Sequence, residues 1–201
     1  MPAAAPPRPS PARAAIARWQ ARVRTDGALA FADLSGLPRS GAKGPGTPGW
    51  LAAQGIVLPA APNRAVRQEG GRLVALLSAS EALILAPRGT PALPPYGDGA
   101  PRAPGVYPVA REEGTYWFRL GGAPAAAALA KLCAVDLRPA RFADGEVAQT
   151  SVARTSCVVI RDDDGGRTSA FHLLGDITLA EHVAEALLDA AAEFGVCIGG
   201  A

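Results

Sequence analysis

Aromatic residues are scarce in this chain of 201 residues, at 5% of its composition, although apolar residues as a group reach 49%. The apolar share leans on alanine, so the core expected is one of Ala, Leu and Val with few large anchors. The length allows one large domain or two small ones and is enough to bury a real core. An excess of one charge is lacking too. A formal net charge of +2 argues against the concentrated basic face that nucleic acid demands. Arg8, Arg13, Arg18, Arg22 and Arg24 gather near the start at a spacing that reads as a solvated helix face. No run of about 18 apolar residues exists, so no membrane-spanning helix is expected. The opening MPAAAPPRPSPARAA holds four prolines in its first nine residues and lacks an apolar stretch of signal length. It reads as a disordered leader.

Metal-binding and nucleophilic signatures are equally thin. The three cysteines, Cys133, Cys157 and Cys197, lie far apart with no CxxC pair, and a zinc site needs three or four convergent ligands. An odd count argues against a disulfide framework, so the reading is a reduced, cytoplasmic protein with Cys133 and Cys157 as small core residues. GxSxG is absent. Gly41-x-x-Gly44-x-Gly46 lacks the Gly-Lys-Ser/Thr ending of a phosphate loop and reads as a flexible connector. Asp162-Asp163-Asp164 lacks the alternate spacing of a calcium loop and reads as a solvated turn. His172 falls within a strand and His182 on the polar side of the last helix. No catalytic, cofactor-binding or metal-binding residue is assigned.

What is present is a run of short alternating segments. Ser10 caps a possible helix to Arg24, with Pro11 at its first position and Ile16, Trp19 and Val23 on one stripe. Gly27–Leu34 alternates as a strand. Thr47 followed by Pro48 predicts a short capped helix closed by Gly55. Arg64–Glu69, Leu73–Leu77 and Ala82–Ala86 read as three strands, the first two joined at Gly70-Gly71. A Pro/Gly-rich loop covers Pro87–Pro108. Thr115–Leu120 predicts a strand with Tyr116 and Phe118 on one face and Trp117 on the other. A helix is expected to Ala134, then strands at Val147–Arg154, Thr155–Arg161 and Thr168–Leu174. Thr178-x-x-Glu181 reads as a capping box opening the last helix, which Gly195 stops. The fold class is α+β, antiparallel sheets with helices packed on them. A leader with a possible helix (1–25) precedes one domain (26–195), whose two loosely similar halves (26–86 and 109–195) the loop joins; a tail (196–201) follows.

The segment GEVAQTSVARTSCVVIR, Gly145–Arg161, carries four hydroxyl side chains and two arginines. A period of two places Val147, Gln149 and Ser151 on one face and Ala148, Thr150 and Val152 on the other. The run reads as structural, two strands meeting at a turn, with Gln149, Thr150 and Arg154 the residues placed to touch a ligand or partner.

Leu132-Cys133, Asp136-Leu137-Arg138-Pro139, the run Gln149–Arg154 and Glu193-Phe194-Gly195 resemble the gamma subunit of heterotetrameric sarcosine oxidase. Leu37-Pro38-Arg39 and Gly44–Gln54 extend the likeness, which covers most of residues 27–195. The resemblance implies a fold similar to the folate-binding domains of the glycine-cleavage T-protein. It implies an accessory, non-catalytic chain in a complex with alpha, beta and delta subunits that oxidatively demethylates sarcosine, or a similar N-methyl amino acid, and passes the one-carbon unit to tetrahydrofolate. FAD, FMN, NAD, zinc and the folate pocket are expected on the other subunits. The alternative is a stand-alone tetrahydrofolate-binding protein of the T-protein type.

Overall fold

The computed structural model describes residues 9–21, 27–93, 103–163, 165 and 168–200. The first eight residues of the leader, Arg22, Val23, Arg24, residues 94–102 of the Pro/Gly-rich loop, Asp164 and Gly166 lie outside the described residues. In chain order the elements are α1 (Arg13–Gln20), β1 (Leu29–Asp33), β2 (Arg39–Lys43), α2 (Thr47–Ala53), β3 (Arg64–Arg67), β4 (Leu73–Ser78), β5 (Glu81–Leu85), β6 (Tyr107–Ala110), β7 (Thr115–Gly121), α3 (Ala125–Leu129), β8 (Val147–Val152), β9 (Thr155–Arg161), β10 (Ala170–Asp176), α4 (Ala180–Ala192) and β11 (Val196–Gly200). A 3-10 turn, Ile177–Leu179, leads into α4.

Side-chain alternation sorts these elements into four layers. Six strands form one sheet in the order β11-β1-β7-β10-β9-β8, and five form a second in the order β3-β4-β5-β2-β6. On β7, Tyr116, Phe118 and Leu120 point one way, into a core shared with α1, α3 and α4. Trp117 points the other way and joins Val147, Ile160 and Leu174 against Leu73, Ala75, Leu77, Leu83 and Leu85 of the second sheet. Residues one step along those strands, Val74, Ala82 and Ile84, pack instead on Leu51 of α2 and on Ile56, Ala92 and Leu93. The order is helices, sheet, sheet, then α2 with its flanking loop. Each fully buried leucine or phenylalanine here stabilises the fold by about 1.5–3 kcal/mol. The few aromatics cluster: the Tyr116 and Phe118 rings stack at 4.6 Å, and Phe31 lies 5.4 Å from Phe118.

Three strands escape the sequence pattern. β2 runs through what reads as a flexible connector: Gly41 lies mid-strand, and a Cβ there would fall 2.5 Å from the carbonyl oxygen of Ala82 on β5. β6 includes Pro108, tolerated because β6 is an edge strand. β11 occupies the expected tail and pairs in parallel with β1 from Leu29↔Val196 to Asp33↔Gly200. That pairing needs close backbone approach at Gly27, where a Cβ would meet the Gly195 backbone at 2.3 Å.

Helix ends also depart from expectation. α3 stops at Leu129 rather than Ala134, because Cys133 turns back to bridge Val152. Thr47 lies inside α2, after an N-cap at Gly46, and its buried hydroxyl has no hydrogen-bond partner among the described residues. Ser10 sits one turn before α1, with its Oγ accepting from the Ala12 N–H at 3.1 Å and donating to Asp33. The capping box is replaced by a division of labour. Asp176 accepts from the Thr178 N–H at 2.9 Å, while Glu181 reaches to α1 and accepts from the N–H groups of Ala14 and Ala15 at 2.8 and 2.7 Å. Arg18 then pairs with Glu185 of α4 at 2.6 Å. A carboxylate at a foreign helix N-terminus satisfies orphan donors and meets the positive end of the helix dipole.

Candidate functional site

The hairpin β8–β9 builds one wall of the site. Its register runs from Val147↔Ile160 to Val152↔Thr155, leaving Ala153 and Arg154 as a two-residue turn. Both have positive φ, 50° and 65°, the type I′ geometry that suits a twisted hairpin but normally selects Asn and Gly. Non-glycine residues held this way cost about 1–3 kcal/mol each. The surrounding fold imposes the geometry. The Ala153 N–H donates to the Leu132 carbonyl at 3.0 Å, and Nε2 of His182 lies 3.0 Å from the Ala153 carbonyl. The exposed Arg154 side chain is left at the tip, with no hydrogen bond or ion pair to a described residue.

Beyond the last inter-sheet leucines the two sheets part, and a cleft of about 670 Å³ opens. Leu77, Leu83, Val158 and Leu174 give it apolar surface; Gln149, Thr150, Ser151 and Ser156 line it with amide and hydroxyl groups. Arg111, Arg154 and Asp176 are its charged members. Arg111 is paired with Glu81 at 2.6 Å, and Asp176 Oδ1 is engaged by Thr178. Gln149 ties the sheets together at the rim, donating from Nε2 to the Leu77 carbonyl at 2.7 Å and to Asn63 Oδ1 at 2.9 Å. The residues expected to touch a ligand or partner, Gln149, Thr150 and Arg154, therefore meet in one cleft. Leu77, Leu83, Arg111 and Asp176 join them from distant parts of the chain, and no local spacing signals this.

The polar groups that line the cleft are chiefly an amide, hydroxyls, two arginines and one carboxylate. Burial pushes the Cys157 thiol up to about 12, against a hydrogen bond from the Tyr116 hydroxyl at 3.7 Å. Such a thiol is not a nucleophile near neutral pH. Burial, above all, also raises the Tyr116 phenol above its ordinary value. No histidine is among the described residues that line the cleft to serve Ser151 or Ser156 as a base. Among the described residues, no group of three or more His, Cys, Asp or Glu side chains is placed to hold a metal ion. Among the described residues, no helix is long and apolar enough to cross a membrane.

Buried charges elsewhere are spent on joining the layers. The acidic turn is not solvated, as its sequence implies; Asp162 and Asp163 are both taken. Asp163 pairs with the buried Arg161 at 2.5 Å. Asp162 accepts from Arg67 on the second sheet and lies 3.1 Å from Nε2 of His172. Arg39, 1% exposed, donates to the carbonyls of Ser35, Leu37, Glu112 and Thr115 at 2.6–2.9 Å and to the Thr115 hydroxyl at 3.0 Å. It fastens the start of β2 to the start of β7.

No family model matches the chain, and no curated protein matches it. Its fold does match solved structures. A chain of the heterotetrameric sarcosine oxidase from Corynebacterium sp. U-96, solved in complex with pyrrole 2-carboxylate, aligns with a TM-score of 0.73 and 24% identity, over 93% of this chain and 96% of that one. The glycine cleavage system aminomethyltransferase T from Bartonella henselae aligns with a TM-score of 0.55 and 15% identity, over 92% of this chain but 50% of its own. The chain has the fold of a heterotetrameric sarcosine oxidase chain, and spans about half the length of a T-protein of related fold.

Proposed function

We propose that this chain is the accessory, gamma-type subunit of a sarcosine-oxidase-like complex. Its role is to pack against a larger chain of that complex and to contribute no reactive group. The observation that carries this reading is the near-complete mutual coverage, 93% of this chain and 96% of a heterotetrameric sarcosine oxidase chain. The motif runs at Leu132–Pro139, Gln149–Arg154 and Glu193–Gly195 support it. The flavins, NAD and tetrahydrofolate of the reaction then belong to alpha, beta and delta partners. The test is a comparison of the purified chain with the assembly it joins. The chain alone is expected to be colourless and to form no peroxide from sarcosine, and the assembly to be yellow and active. A yellow, active single chain overturns the proposal.

The cleft and the likeness to aminomethyltransferase T favour one rival, a stand-alone tetrahydrofolate-binding protein. Asp176 is the one carboxylate among the described lining residues, and its Oδ1 is committed to Thr178. Titration of the isolated chain with tetrahydrofolate separates the two readings: saturable micromolar binding supports the rival, and its absence the accessory role.

A further inference from the structure

We draw no further inference here: the strongest candidate, the cleft beside the β8–β9 hairpin, belongs to the site already described, and Arg111, Arg154 and Asp176, its charged members, are of both signs and single out no occupant.

Discussion

Trp117 donates its indole N–H to Nδ1 of His172 at 2.9 Å. An indole can only donate, so Nδ1 accepts and the imidazole proton sits on Nε2, which donates to Asp162. Arg67 completes the chain, so one line of contacts runs from the inter-sheet core through β10 to β3 of the second sheet. Burial is the largest influence on His172 and holds it below its ordinary pKa, with Asp162 opposing and Arg119 and Arg67 adding to the depression. Burial works to raise Asp162, but His172 and Arg67 outweigh it and keep the carboxyl below its ordinary value.

Both shifts point to loss of stability in acid. His172 is neutral in both states well above its unfolded value, so folding stability begins to fall as pH drops below about 6.5. Asp162 adds a second loss as pH falls through its lowered folded value. His172→Leu should cost about 2–4 kcal/mol by leaving Trp117 Nε1 unpaired and Asp162 with Arg67 alone. It should also flatten the upper part of the acid limb. Urea unfolding between about pH 7 and about pH 4 measures both.

Glu181 predicts a local effect. Glu181→Ala removes the acceptor for the N–H groups of Ala14 and Ala15. A loss of about 1 kcal/mol is expected, with faster exchange at those two amides and little change in the strands. Glu181→Gln should keep part of the cap.

The strained turn predicts a gain in stability. Replacing Ala153-Arg154 by Asn-Gly installs residues that accept positive φ and should stabilise the chain by about 1 kcal/mol in thermal unfolding. A variant less stable than the original chain would contradict the strain assigned to the turn.

Arg39 tests how far a planar cation is needed as a cross-link. Its partners include four carbonyls and one hydroxyl spread across the starts of β2 and β7. Lysine has no fork to reach them together, so Arg39→Lys should cost about 2–4 kcal/mol, read from the urea midpoint.

Where burial follows a period of two, the sequence was a sufficient guide to the fold. Tyr116 and Phe118 face the helices and Trp117 the opposite sheet, as their alternation dictates. β4 and β5 were legible for the same reason, being runs of Leu, Val and Ile between turn residues. β2 was not, since RSGAK carries a glycine demanded by backbone approach rather than side chains that favour strands, and β11 was not, since VCIGG has only three side chains before its two glycines. Glu181 shows a limit of local rules: its spacing from Thr178 matches a capping box, yet a closer pair of orphan donors lies on another helix. Of the candidate site, Gln149, Thr150 and Arg154 could be marked from their amide, hydroxyl and charge. The cleft itself could not, because Leu77, Arg111 and Asp176 reach it only through the packing of two sheets.

The most direct measurement is the composition and activity of the assembly recovered with the tagged full-length chain, by native mass and by peroxide formed from sarcosine. The proposed accessory role predicts a stoichiometric complex with flavin-bearing chains that forms peroxide from sarcosine, while this chain alone forms none. A chain recovered alone that oxidises sarcosine, or that binds tetrahydrofolate with micromolar affinity and no partner, would contradict it.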